Sequence, residues 1–549
     1  MLFALSGVTL VLFLMAHWVM PLRLLSAPNG YYVPGYLGDE HSYLQRMQPL
    51  LPGTTRASPL NGLGDQRIVS MIFQDDILRA SISASGMHVI TFFWIWRFAF
   101  IFIVLLAMAL LARVCFERRR LGTRPPWLAL ALLGTAILYG LYNFLLPNHP
   151  PHLFLNRVPT NMEFVTSTLL LCAAILFFRK PSLRNALLMA GAVTLNLYLR
   201  PYVLPAWVAP IACLCLYVVY RDRRALRSIA LFIAACALAS LPWLLVSQAN
   251  AAIPAHVEWS ARYFRRDEYG LHPRWPWHLA AGALLMSASA FLLCGQRRIL
   301  ALVLGSGFLI LPFVTGYPGL ANQLNVREDR FGCYFLPVIA AIVFMTLSST
   351  AERWRGKLAI VSAAKMSYTA LACTVIVALY YGVAHATFDV RSYPLGNYQG
   401  IAEDAELLPA YTWIRQHTPA DALFIVDDAF DWEAIQRNPS LYDQYRLAKY
   451  TSGEYFCVMA ERRCTFAELL WSFPYSNREV DELYLLQQGT FGKECSPQTY
   501  GRIFKQVKPT HILWRKKSGV GRGMGERLRA LATTVYTDPV CEIWAFEKM

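Results

Sequence analysis

Residues 203–220 read VLPAWVAPIACLCLYVVY, residues 221–224 read RDRR, and residues 228–247 read SIALFIAACALASLPWLLVS. Neither apolar block carries a charged side chain, and each is long enough to reach across a hydrocarbon core about 30 Å thick. Between them a short turn holds Arg221, Arg223 and Arg224. The pattern predicts two membrane-crossing helices joined by a basic connection. Working outward, similar blocks stand near residues 2–20, 90–112, 127–147, 163–178, 186–200, 278–294, 299–316, 332–348 and 366–385, which makes eleven in all. The composition agrees: 56% of the 549 residues are hydrophobic and 16% are charged, against about 25% charged in a soluble domain. A soluble enzyme is excluded. The fold class predicted is a polytopic α-helical membrane protein of about eleven transmembrane helices with a small C-terminal α/β domain.

Charge divides the chain. Residues 386–549 hold 21 acidic and 19 basic side chains, and residues 1–385 hold 14 and 32, so the net +16 belongs to the apolar part. A basic nucleic-acid-binding domain does not explain that distribution, and no nucleic-acid partner is expected. Alternate connections, around 113–124, 179–184, 221–227, 297–298 and 353–365, carry 18 basic residues against Glu117, Asp222 and Glu352. By the positive-inside rule these connections are cytoplasmic. The N-terminus is then inside, the first block is a retained signal anchor, and residues 386–549 form an extracytoplasmic domain. Of the twelve cysteines, Cys457, Cys464, Cys495 and Cys541 belong to that domain. They fit either disulfides or free thiols in a small core.

The connection at residues 21–89 is long for a bundle of this kind. It contains PGYLGDEHSYLQRM at 34–47, in which Asp39, Tyr43 and Arg46 fall on one face of a short helix beginning at Asp39. Residues 68–78 predict an amphipathic helix lying on the bilayer. In the C-terminal domain, 405–417 have helical spacing, and 422–427, HILW at 511–514 and 540–546 read as strands.

Asp39 and Glu40 are adjacent carboxylates at the water-facing side of the first block. They suit a general base or a metal ligand, and equally a solvated helix cap. Arginines are abundant on the same side: Arg200, Arg262, Arg265, Arg266, Arg327 and Arg330. A guanidinium fork binds phosphate in bidentate fashion, while the competing role is pairing with Glu258, Asp267, Glu268, Glu328 and Asp329. Arg97, inside the second block, either snorkels outward or meets a carboxylate, Asp39 or Glu163. His149 and His152 lie in a proline-stiffened loop. Walker, dinucleotide-binding, serine-elbow and zinc-helix motifs are missing, which leaves nucleotide-driven transport and common hydrolytic chemistry without their usual signatures.

The order GDEHSYL (38–44), LRP (199–201), RF…FLP (330–337) and WIRQHTPADALFIVD (413–427) resembles the GT-C superfamily of integral-membrane glycosyltransferases, in the bacterial branch of aminoarabinose and mannosyl transferases. The resemblance spans essentially the whole chain: a catalytic membrane domain at 1–385 and an extracytoplasmic domain at 386–549. It implies transfer of a sugar from a polyprenyl-phosphate donor to a glycan, lipid or protein acceptor at the outer face of a bacterial inner membrane. Asp39 would be the essential carboxylate, with Glu40 beside it, and Tyr43, Arg46, Arg200, Arg262, Arg265, Arg327 and Arg330 would serve substrate and phosphate. No organic cofactor is implied, and a divalent cation has room to act. Phe331 departs from the family's commoner Arg-Tyr pair. A transporter or lipid flippase and a non-catalytic envelope assembly protein are the rival classes.

Overall fold

The computed structural model describes residues 47–52, 73–116, 158–199, 203–253, 286–315, 328–354, 406–426, 452–464, 508–516 and 532–546, with a few further positions in 127–138 and at 505. They fall into two compact units. One holds the described residues of 94–244 and 264–393, and the other those of 25–93, 245–263 and 394–549.

The helices are α1 Phe73–Ser85, α2 Val89–Cys115, α3 Val158–Arg179, α4 Leu183–Leu199, α5 Leu204–Arg221, α6 Leu226–Ala251, α7 Gly295–Thr315, α8 Glu328–Trp354, α9 Leu408–His417 and α10 Ser452–Ala460. The strands are β1 Leu423–Val426, β2 Arg463–Cys464, β3 His511–Arg515, β4 Thr533–Thr537 and β5 Cys541–Ala545.

The eleven-span expectation is corrected here. Among the described residues three helical segments are long and apolar enough to cross a membrane: Met162–Arg179, Leu204–Arg221 and Arg223–Ala251. Phe102–Cys115, Leu183–Leu199 and Leu336–Thr350 are shorter apolar helices. Hydropathy marks apolar blocks but not what covers them, and a short apolar helix is more often a core helix than a span. Burial makes the distinction visible: 78% of the Met162–Arg179 window is covered by protein, against 28% and 11% of the other two. The expected blocks at 2–20 and 366–385 lie outside the described residues, and those at 127–147 and 278–294 are described only in part. In α5 and α6, Val208, Leu216, Ile233 and Leu238 stand more than half exposed. Such apolar surface is compatible with membrane association.

Within the helical unit α3 and α4 form a hairpin through Lys180, Pro181 and Ser182. The Asn185 amide closes it by donating to Leu176 O (3.2 Å) and Lys180 O (2.8 Å), carbonyls that also accept the Lys180 and Ser182 backbone N–H groups. Arginines then tie helix ends together. Arg179 donates to Val114 O and Cys115 O at the end of α2. Arg221 donates to Phe178 O at 2.9 Å, with its guanidinium 5.6 Å from the Phe178 ring centre. Arg297 grips both carboxylate oxygens of Glu352 at 2.6 and 3.1 Å. Cations at the C-terminal ends of helices meet the negative end of the dipole. These basic residues therefore have structural work besides any role in orientation.

The second unit is built on a mixed five-stranded sheet of order β2-β1-β3-β5-β4. β1 is parallel to β2 and β3, while β3–β5 and β5–β4 are antiparallel. LFIV in β1 is buried at every position, as a parallel central strand requires. Phe424 of β1 and Tyr411 of α9 both pack on Phe456 of α10, with ring centres 5.0 and 5.8 Å away. β4 and β5 join through Asp538, whose Oδ1 accepts the N–H groups of Val540 and Cys541 at 2.7 Å. Cys457, Cys464 and Cys541 are buried free thiols, and Cys495 lies outside the described residues.

Candidate functional site

The end of the helical unit where α3 and α8 begin and α4 finishes is unusually polar inside. Glu163, Thr166, Ser167, Thr168 and Asn196 are all buried. In α3 these groups come from the run EFVTST at 163–168, where the Thr166 hydroxyl bonds back to Glu163 O of its own helix and Ser167 reaches α5. The Asn196 amide donates to Thr166 O (3.1 Å) and to Ala192 O of its own helix (2.9 Å). Trp207 of α5 donates from Nε1 to Ser167 Oγ (3.1 Å), and its ring meets that of Tyr334 of α8 edge-on at 4.8 Å. Tyr334 donates in turn to Leu304 O of α7 (2.7 Å). Five helices thus meet around one polar network.

Such groups are costly in an apolar interior unless they are satisfied or functional. Asn196 Oδ1 and Thr168 Oγ1 have no hydrogen-bond partner among the described residues. The network therefore has acceptor capacity left over.

Arg330 belongs to α8, one helical turn before Tyr334. It is the sole expected site residue whose backbone is described. Asp39, Glu40, Tyr43, Arg46, Arg200, Arg262, Arg265 and Arg327 lie outside the described residues, as do Arg266, His149 and His152. Leu199, the residue before Arg200, ends α4 three residues after Asn196. Sequence reasoning treated Glu163 only as a partner for Arg97 and passed over Asn196 and Trp207. A carboxylate, two threonines and a serine within six positions of an otherwise apolar block was the signal available. Among the described residues no group of three or more His, Cys, Asp or Glu side chains is placed to hold a metal ion.

The sheet unit holds a second polar cluster. Arg462 donates to Arg415 O (2.8 Å), Thr418 O (2.8 Å), Thr418 Oγ1 (3.1 Å) and Glu461 O (3.0 Å), which closes the C-terminal end of α9. Burial holds the Arg462 guanidinium below its ordinary pKa, opposed by the charge of Glu461. Glu461, in the left-handed region at φ 53°, meets Arg415 Nη1 at 3.6 Å and His88 Nε2 at 3.9 Å. Burial also lowers the pKa of His88, while Glu461 raises it. His511 stacks on Phe424 at 4.7 Å between ring centres, and burial, with the nearby Arg462 charge, lowers its pKa to about 4.

The helix expected at 68–78 overlaps α1, Phe73–Ser85, which buries Leu78 and Ile82, while residues 68–72 lie outside the described residues. Asp75 and Asp76 occupy its first turn, where carboxylates complement the dipole. Gly86, at φ +63°, ends it.

No family model matches the chain, and no curated protein matches it.

Proposed function

We propose that this chain is an integral-membrane glycosyltransferase that moves a sugar from a polyprenyl-phosphate donor to an acceptor hydroxyl at the outer face of a bacterial inner membrane, with the N-terminus cytoplasmic and the sheet unit outside. The observation that carries this reading is the buried polar network of Glu163, Ser167, Asn196, Trp207 and Tyr334 in apolar helices, with Arg330 one turn along the same α8. Polar side chains kept at that cost mark substrate pathways in membrane proteins. The order of GDEHSYL, LRP and RF…FLP in the sequence adds the resemblance to GT-C enzymes.

In the reaction, the Asp39 carboxylate accepts the proton of the acceptor hydroxyl. The hydroxyl oxygen attacks the anomeric carbon and forms the new glycosidic bond. The bond from that carbon to the phosphate oxygen breaks, and polyprenyl phosphate leaves with the electron pair. Arg200 and Arg330 meet the growing charge on the phosphate with charge-assisted hydrogen bonds. A lipid-linked donor supplies an activated sugar without a nucleotide site.

The phosphate role is tested in detergent by measuring donor affinity beside melting temperature for Arg200→Ala, Arg330→Ala and the two lysine variants. Donor affinity should fall in the alanine variants and return in part with lysine, which keeps the charge without the planar fork. Unchanged affinity with lowered melting temperature would make both residues scaffold.

A further inference from the structure

Two turns of the helical unit are bonded to each other. Residues 180–182 join α3 to α4, and residues 222–225 join α5 to α6. Ser228, in the first turn of α6, donates from Oγ to Pro181 O at 3.0 Å, across 47 positions of sequence. Arg221, the last residue of α5, donates from Nη2 to Phe178 O near the end of α3 at 2.9 Å. The Phe178 ring stacks on Tyr217 of α5 with 5.4 Å between centres. Four helix ends are therefore held as one surface.

That surface is cationic. Lys180, Arg184, Arg223, Arg224 and Arg227 are all exposed, and their side chains make no hydrogen bond or ion pair with a described residue. Asp222 is the only carboxylate in the sequence between Glu163 and Glu258, and its Oδ1 accepts the Arg224 N–H at 3.0 Å as a helix cap. By contrast, Arg297 on α7 is answered by Glu352 of α8. The bias that orients a membrane protein needs positive charge in a connection but no fixed place for it. Here two basic connections are pinned together, and an anion bridging them would relieve their mutual repulsion.

Apolar side chains border the cations. Leu183 and Leu187 of α4 and Leu226 of α6 are each more than half exposed, and Tyr220 of α5 is 87% exposed. Leu183 immediately precedes Arg184, and Leu226 immediately precedes Arg227. α5 and α6 are both long and apolar enough to cross a membrane. A soluble anion would use the cations alone. A phospholipid uses both parts, because its phosphate sits at the depth of helix ends while its acyl chains run along their apolar flanks.

We propose that the joined α3–α4 and α5–α6 turns form a binding site for an anionic phospholipid. Its phosphate is met by the guanidinium and ammonium groups of the two turns, and its acyl chains lie on the exposed apolar faces of α5 and α6. The site does not depend on which reaction the chain catalyses.

Full-length protein stripped of lipid in detergent provides the test. It is titrated with phosphatidylglycerol or phosphatidylcholine, bound lipid is counted by native mass spectrometry, and melting temperature is followed in the same samples. Phosphatidylglycerol should bind at least about tenfold more tightly than phosphatidylcholine and raise the melting temperature. The double variant Arg223→Gln/Arg227→Gln should bind it roughly 10- to 30-fold more weakly, since each cation near an anionic lipid contributes a factor of about five. Its lipid-free melting temperature should match wild type, because both side chains are exposed. Arg223→Lys/Arg227→Lys keeps the charge and should bind within about threefold of wild type. Lys505→Gln/Lys508→Gln removes the same charge from exposed positions of the sheet unit and should leave lipid binding unchanged. Equal affinity for the two lipids, wild-type affinity in Arg223→Gln/Arg227→Gln, or an equal loss in Lys505→Gln/Lys508→Gln would overturn the site. Displacement of phosphatidylglycerol by an equal concentration of its water-soluble headgroup, glycerophosphoglycerol, would assign the turns to a soluble phosphate and overturn the lipid as occupant.

Discussion

Arg462 shows how much of the sheet unit depends on one side chain. Its four hydrogen bonds end on carbonyls and a hydroxyl around the close of α9. Arg462→Ala leaves those buried acceptors unsatisfied and should destabilise the unit by about 3 kcal/mol, read as a lowered denaturation midpoint. Arg462→Lys, with a point charge in place of a fork, should recover only part. His511 gives a pH signature. Its folded pKa of about 4 lies below the ordinary 6.5, so the unfolded chain binds the extra proton between those values. Stability is fully present above the unfolded pKa and is lost as pH falls from 6.5 toward 4. His88, also lowered by burial, adds a slope of the same sign. His511→Phe keeps the stack on Phe424 and should flatten the dependence of melting temperature on pH over that window; an unchanged slope would remove His511 as its source. None of these roles was legible in the sequence. Arg462 looks like an ordinary polar residue until the chain folds and brings Thr418, 44 positions away, within reach.

Elements were legible where local pattern and burial agree. The apolar run at 422–427 contains β1, HILW falls within β3, and the segment 405–417 contains α9. Strand β4 was passed over although Thr533, Thr534, Val535, Tyr536 and Thr537 are strong strand formers. It is mostly exposed, and a reading that looks for apolar runs misses an exposed edge. β2 spans two residues and is defined only by its pairing with β1. The junction of α7 and α8 makes a direct test of element packing. A Cβ on Gly307 would come within 2.7 Å of Tyr334 Cζ, and Tyr334 is fully buried against Trp207 and bonded to Leu304 O. With no room to retreat, Gly307→Ala should cost about 1–3 kcal/mol. Pairing it with Tyr334→Phe should relieve part of that loss in thermal melts, since the hydroxyl is the nearest clash. Additive losses would mean that the two helices separate rather than repack.

At the scale of the whole molecule, composition identified an apolar chain, but among the described residues fewer helices are long and apolar enough to cross a membrane than the apolar blocks led one to expect. The apolar part of α8, Leu336–Thr350, is shorter than a span and largely buried, and even α3, which is long enough to cross, is mostly covered by protein, whereas α5 and α6 expose theirs; hydropathy reports the sum and not the partner. Orientation rests on the basic connections, several of whose arginines also cap helices. A reporter active only in the cytoplasm, fused after residue 400, should be silent if the sheet unit is outside, and activity there would reverse the proposed topology. The claim of sugar transfer places the chemistry on one carboxylate. Asp39→Asn preserves shape and removes the base, so the decisive measurement is release of polyprenyl phosphate from a polyprenyl-phosphate sugar by reconstituted wild-type and Asp39→Asn protein at matched membrane levels. The account predicts turnover by the wild type and a loss of at least about 100-fold in the variant, at the scale general-base catalysis contributes; near-normal turnover by Asp39→Asn would contradict it.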